Sequence, residues 1–227
     1  MTRTDPRAGV LFDVDGTLVD TNYLHVLAWW HAFRDAGHDV SMTRIHRSIG
    51  MGSGTLVEHL LGAPDERAVT AHTHHYAPYL EQLRPFPRAA EALRAVKALG
   101  LEVVLATSAS EDEVSSLTEA IDADDAVDEV TSSADAESSK PAPDILQVAL
   151  ERRGLAPERA LMVGDTVWDV EAARKAGLEC VAVLSGGISR AELEEAGAIA
   201  VYDDIAALLD NLEAGPIGRL ATSEQAG

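Results

Sequence analysis

Two aspartates one residue apart, Asp13 and Asp15, close a short apolar run and open a turn at Asp15-Gly16-Thr17. Far along the chain stand Thr107-Ser108, Lys140-Pro141, and Gly164-Asp165 followed by Asp169. Four carboxylates at one edge of a sheet repel one another, and a hard cation with a taste for oxygen, such as Mg²⁺, relieves that repulsion. A hydroxyl with backbone N–H groups, set beside a single lysine, makes a cradle for a phosphate. A carboxylate held in line with phosphorus can form an acyl-phosphate. A second carboxylate nearby can protonate the departing alkoxide and then deprotonate the water that hydrolyses the intermediate. Any one of these motifs alone reads as a turn residue or helix cap. Together and in this order, each at the end of a strand, they read as a site for phosphoryl transfer.

The elements that must hold them are legible in the hydrophobic pattern. Val10 to Phe12, Val103 to Ala106 and Ala160 to Val163 are short apolar runs of the kind that form buried strands. Val127 to Val130, Cys180 to Leu184 and Ala198 to Val201 are further strand candidates. Helical patterns lie between them at Ala89 to Leu99, Ala142 to Arg153 and Val170 to Ala176, the last stopped by Gly177. Strands alternating with helices predict an α/β fold with a parallel sheet covered on both faces. Ligands of such sheets bind beyond the carboxyl ends of the strands, where the motifs sit. From about Thr21 to Arg84 no strand is evident, and Leu24, Leu27, Ala28, Leu56, Leu60 and Leu61 fall at helical spacing. This stretch reads as an all-helical insert, which divides the chain into a core of residues 1–19 and 86–227 and an insert of residues 20–85.

Composition narrows the partners. The 227 residues carry a net charge of -20 and only three lysines, Lys97, Lys140 and Lys175. Such a surface repels nucleic acid and anionic membranes. No apolar run approaches the roughly 18 to 20 residues that span a bilayer, and the first residues do not read as a signal peptide. The single cysteine, Cys180, rules out an intramolecular disulfide and fits a reducing cytoplasm, with the side chain expected to be buried and inert. Residues 214–227 are small and polar and are expected to fray. Monomer and dimer both fit the pattern.

The segment Asp13-Val14-Asp15-Gly16-Thr17, with Thr107, Lys140 and Gly164-Asp165 to Asp169, resembles the haloacid dehalogenase superfamily of phosphatases and phosphotransferases. The resemblance runs from about Val10 to Leu212. It implies a Rossmann-like core, with Asp13 as nucleophile and Asp15 as general acid and base. Thr107, Ser108 and Lys140 would hold the phosphoryl group. Mg²⁺ would be bound by Asp13, the Asp15 backbone carbonyl and Asp165, with Asp169 close behind. The insert would be the family's helical cap, which closes over the site.

Within that resemblance, Asp15 argues for phosphoryl chemistry, since the dehalogenating branch lacks this second aspartate. The phosphonate-cleaving branch uses a cap lysine, and residues 21–84 contain none. Asp20 to His25 with Ala28-Trp29 resembles the matching segment of β-phosphoglucomutase, His25 included. The loop Ser48 to Gly54, however, holds no basic residue to grip a second phosphate, and Arg44 and Arg47 lie outside it. A phosphatase of a small phosphorylated metabolite, such as phosphoglycolate or a sugar phosphate, is favoured over a hexose-phosphate mutase. A catalytically inactive binding protein is the third reading, against which the intact motifs argue. Gly50 and Gly52 lie in a helix–helix turn that could approach substrate, joined there by His25 and Arg47. His72, His74 and His75 lack acidic or cysteine partners at metal-ligand spacing and read as solvent-facing cap histidines. Trp29 and Trp30 read as cap packing, with room for one to border the substrate.

Overall fold

The structure is a computed structural model that describes residues 7–136 and 138–225, with side chains described as far as Thr222. Six strands form one parallel sheet: β1 (Arg7–Phe12), β2 (Glu102–Ala106), β3 (Glu129–Thr131), β4 (Leu155–Gly164), β5 (Glu179–Val183) and β6 (Ala200–Tyr202). Their order is β3-β2-β1-β4-β5-β6, so the chain reverses direction of travel across the sheet at β1. A crevice opens at such a reversal, beyond the carboxyl ends of the central strands.

The apolar runs fold this way because both faces of the sheet are covered. In β1, Val10 and Phe12 pack into one cluster while Leu11, between them, packs into the other, and all three are fully buried. In β4, Leu161 and Val163 share the first cluster, Ala160 and Met162 the second. Each large side chain so buried stabilises the fold by about 1.5–3 kcal/mol before its entropy cost. Pairing of Phe12 with Leu105 on one side and Val163 on the other aligns the ends of β1, β2 and β4, which sets Asp13, Thr107 and Asp165 along one edge.

Helices α1 (Asn22–Asp35), α2 (Met42–His46), α3 (Ser53–Leu61) and α4 (Glu66–Tyr76) lie between β1 and β2 and form the helical cap. They enclose their own core, in which Trp29 and Phe33 from α1 meet Ile45, Leu56 and Ala68. The remaining helices flank the sheet: α5 (Ala89–Ala98), α6 (Glu111–Ile121), α7 (Asp144–Arg153), α8 (Val167–Ala176), α9 (Arg190–Ala196), α10 (Ile205–Asp210) and α11 (Pro216–Gln225). Cys180 is a buried free thiol in β5. Among the described residues, no helix is long and apolar enough to cross a membrane.

One expectation changes here. The C-terminal stretch does not fray from residue 214: Pro216 opens α11, and Ile217 and Ala221, four apart on one helical face, are buried against the core. Helix α6 was not evident from apolar spacing, yet it carries a legible start. Ser110 and Glu113 form a reciprocal capping box, and Glu111, Asp112 and Glu113 crowd its first turn.

Candidate active site

The turn after β1 is built by its backbone. Leu18 N–H donates to the Val14 carbonyl at 2.9 Å and Gly16 N–H to the Val19 carbonyl at 2.8 Å, which folds residues 14–19 back beneath the sheet edge. Gly16 sits at φ +79°, and a Cβ there would stand 2.3 Å from both Asn22 and Asp165. Glycine is therefore required for the conformation and for the space. Asp13 and Asp15 emerge from this turn, and Thr17 reaches across it to donate to Asp165 Oδ1 at 3.1 Å.

Asp13, Asp165 and Asp169 converge from three elements, offering carboxylate oxygens within 4.8 Å of one another. All three are buried, at 4%, 0% and 1% exposure. Asp169 is fixed twice. It completes the capping box of α8, accepting from the Thr166 backbone at 3.1 Å and the Thr166 hydroxyl at 2.6 Å, and its Oδ1 lies 2.8 Å from Lys140 Nζ. Asp165 accepts from Asn22 Nδ2 at 2.9 Å. A Cβ on Gly186 would fall 1.8 Å from the Asp165 carboxylate, so the loop after β5 must carry glycine there. Lys140, fully buried, donates to Asp13 as well as pairing with Asp169.

The charges do not balance. One ammonium faces three buried carboxylates, and burial without full compensation favours the protonated acid. Burial pushes Asp13 up to about 7, with the charges of Asp169 and Asp15 adding to it and Lys140 opposing. Burial, then Asp169 and Asp13, push Asp165 well above the usual carboxylate range. Lys140 is moved the other way: burial disfavours its charge, but Asp13 and Asp169 outweigh it and raise its pKa. An all-oxygen set with surplus negative charge fits a hard divalent cation, whose binding would keep these acids ionised. The carbonyl oxygen of the Asn22 side chain, buried and without a hydrogen-bond partner, lies in the same group of residues.

Asp15 is held differently. Its Oδ1 accepts from the Thr21 hydroxyl at 2.6 Å and lies 3.3 Å from His25 Nε2, while its Oδ2 accepts from the Thr107 hydroxyl at 3.3 Å. Burial alone would raise its pKa, but the hydrogen bond and charge of His25, with Thr21 and Lys140, hold it below the ordinary value. His25 moves in the opposite sense, because Asp15 outweighs the burial that would discharge it. The two carboxylates of the first motif thus sit in opposed environments, Asp13 pushed up and Asp15 held down, so that a bound cation would be needed to keep Asp13 ionised near neutral pH.

The other sequence candidates divide. Ser108 donates its hydroxyl to the Gly50 carbonyl at 3.3 Å, so it ties the cap to the sheet edge. Gly50, at φ +98°, lines the cleft beside it. Gly52 packs so closely that a Cβ would meet Ser139 at 2.2 Å. Arg47 lies outside the cleft lining and pairs with Glu192, while its carbonyl accepts from Trp168 Nε1 at 3.1 Å. His74 is exposed and His75 pairs with Asp35 at 2.7 Å. His72 corrects its expectation: it is 4% exposed, stacks on Trp29 at 4.0 Å and lies 3.3 Å from His25 Nδ1. Helical position explains this, since His72 falls four residues from Ala68 and Tyr76 on the buried face of α4. Trp29 borders the cleft. Sequence reasoning did not single out Thr17, Thr21, Asn22 and Glu113. Only the run of polar residues straight after the first motif hinted at the first three.

A parallel sheet that reverses at β1, a helical cap inserted after that strand and an acidic cluster at its end define a capped phosphoryl-transfer hydrolase. The chain belongs to the haloacid dehalogenase-like hydrolases, whose family profile matches residues 10–183. It is a phosphatase of that family, with phosphoglycolate phosphatases among its relatives. It is 32% identical over 220 residues to a phosphoglycolate phosphatase of Rhodospirillum rubrum, covering 90% of each chain. To the phosphoglycolate phosphatase of Escherichia coli K12 it is 31% identical over 217 residues, covering 82% of this chain and 84% of the other. The crystal structure of a hydrolase from Pseudomonas syringae superposes with a TM-score of 0.86 at 33% identity, over 92% of this chain and 99% of that one.

Proposed function

We propose that the protein is a Mg²⁺-dependent phosphatase of a small phosphorylated metabolite, of the phosphoglycolate or sugar phosphate class, working through an aspartyl-phosphate on Asp13. Residues 20–85 serve as the cap and residues 1–19 with 86–227 as the core. The observation that carries this reading is the convergence of buried Asp13, Asp165 and Asp169 on one another, with the Lys140 ammonium paired to Asp13 and Asp169.

Asp13, Asp165 and the Asp15 backbone carbonyl would hold Mg²⁺, with Asp169 close behind. Bound there, the cation would offset the charge of the phosphoryl oxygens and keep the acids ionised. Lys140 and Thr107 hold the phosphoryl group at the sheet edge, with Ser108 next to Thr107 on the loop after β2. The Asp13 carboxylate attacks phosphorus, and the bond from phosphorus to the alcohol oxygen breaks as the acyl-phosphate forms. Asp15, within reach of Thr21, Thr107 and His25, delivers to that oxygen the proton it took from the hydrolytic water of the preceding turnover. The alcohol leaves. Asp15 then takes a proton from water as the water attacks phosphorus, the acyl-phosphate bond breaks, and inorganic phosphate and the free Asp13 carboxylate are regenerated. The cap, tied down through Ser108 to Gly50 and Arg47 to Glu192, excludes bulk water from the acyl-phosphate.

A mutase must grip a second phosphate, and no lysine or arginine is among the described residues that line the cleft. This favours the phosphatase. The test is Asp13→Asn with p-nitrophenyl phosphate and a titration of Mg²⁺. The wild type should hydrolyse the ester only with metal, and the variant should be inert with its fold unchanged. Hydrolysis by the variant at a rate near the wild type would refute the mechanism, and activation of the wild type only by a sugar bisphosphate would favour the mutase.

A further inference from the structure

We infer that the cleft selects phosphate monoesters whose alcohol carries no negative charge and presents an apolar or aromatic face, an inference that rests on the phosphatase reading above. The cleft beneath the cap is narrow, with about 50 Å³ of open space. At its inner end stand Asp13 and Asp15, and its walls are lined by chemistry of two kinds. The cap supplies apolar and aromatic surface: Trp29, with His72 stacked on it at 4.0 Å, and Ile49, Met51 and Leu56. The core supplies Glu113, an acid, at the start of α6.

The one cation among the described lining residues, His25, is committed to Asp15. The cap arginines are engaged elsewhere: Arg47 with Glu192, Arg67 with Asp65, Arg44 with the Leu60 carbonyl at 3.0 Å, Arg84 with the Leu83 carbonyl at 2.8 Å, and Arg34 over the Trp30 ring at 4.5 Å. Lys140 is held between Asp13 and Asp169 on the phosphoryl side. Of the two cleft histidines, His25 is turned to Asp15, and His72 is buried within an aromatic stack, where burial and its histidine neighbours keep it uncharged.

An alcohol bearing a carboxylate or second phosphate would therefore place an anion among Glu113, Asp15 and aromatic surface with no partner for its charge. Desolvating an unpaired anion next to like charges is unfavourable, whereas an apolar or aromatic alcohol gains the surface of Trp29, Met51 and Leu56. The cleft thus separates the two candidate classes. It admits neutral alcohols such as sugars and disfavours acids such as glycolate.

The test compares kcat/KM of the full-length enzyme, with Mg²⁺, for three esters of primary alcohols: phosphoglycolate, 2-hydroxyethyl phosphate and benzyl phosphate. 2-Hydroxyethyl phosphate should exceed phosphoglycolate by at least about tenfold, and benzyl phosphate should exceed both. Ser53→Lys, which sets a cation on the cleft wall, should raise kcat/KM for phosphoglycolate and shrink that ratio several-fold. Phosphoglycolate turned over as well as its neutral counterpart would overturn the inference while leaving the phosphatase reading intact. A ratio unmoved by Ser53→Lys, or benzyl phosphate poorer than 2-hydroxyethyl phosphate, would also overturn it. If no ester is hydrolysed, p-nitrophenyl phosphate included, the phosphatase reading fails and the inference falls with it.

Discussion

His25 Nε2 lies 3.3 Å from Asp15 Oδ1, so a residue of the cap touches the carboxylate proposed to carry the proton. The contact ties the electrostatics of Asp15 to the position of the cap, because His25 belongs to α1 and leans on His72 of α4. With His25 in place, Asp15 is held below its ordinary pKa against the upward push of burial.

His25→Gln removes the charge that opposes burial, so the Asp15 pKa rises. Breakdown of the acyl-phosphate needs Asp15 ionised to accept a proton, and its acid limb should therefore move to higher pH. Pre-steady-state pH profiles of that step check this, and an unmoved limb would show that His25 does not set the state of Asp15. Asp15→Asn, which removes the proton carrier itself, should cost about 10²–10⁴ in kcat.

Metal binding should be strongly pH-dependent. Asp13 is pushed from 3.8 to about 7, so between those values the folded chain binds more protons than the unfolded one. The metal-free protein therefore loses stability as pH rises through that window, and Asp165, moved in the same direction, adds to the loss. Mg²⁺ binds the ionised acids and should offset it. Thermal denaturation should show a larger Mg²⁺-induced rise in Tm at pH 7.5 than at pH 5; an equal rise at both would contradict the account.

Asp165→Asn removes one of three crowded buried acids, while its single amide oxygen can still accept from Thr17 or from Asn22, which bond to different oxygens of the carboxylate. The metal-free variant should be more stable than the wild type by about 1 kcal/mol or more, since a buried charge without full pairing is costly. Activity and the Mg²⁺-induced shift should both be lost. Chemical denaturation with and without Mg²⁺ measures the two effects together.

Gly186→Ala tests the space around the same carboxylate. A Cβ there would stand 1.8 Å from Asp165 Oδ2, so the loop after β5 or the acid must move. Mg²⁺ affinity should fall at least about tenfold, in the range seen when the supports of metal ligands are altered. Isothermal titration with Mg²⁺ gives the number directly.

Much of this was readable from the chain because parallel strands are buried on both faces. Val10 to Phe12 announces itself as an apolar run, and whatever follows it must lie at the sheet edge. Asp13, Thr107 and Asp165 were found for that reason. Asn22 and Thr17 were not, because their bonds to Asp165 span 143 and 148 residues and leave no local pattern. His72 was taken for a surface residue since its partners, Trp29 and His25, come from another helix. Arg47 was placed near the substrate by proximity along the chain, whereas Glu192 draws it to the outside of the cleft. Helix α11 was hidden by its small residues, and only the spacing of Ile217 and Ala221 marks its buried face.

The central claim is that Asp13 becomes phosphorylated. The direct measurement is to quench the enzyme with acid during turnover of p-nitrophenyl phosphate and Mg²⁺, reduce it with borohydride and read the peptides by mass spectrometry. Reduction of an aspartyl-phosphate leaves homoserine, and the account predicts homoserine at position 13 in the wild type and none in Asp13→Asn. Turnover with Asp13 unmodified and the label on another residue, or on none, would contradict it.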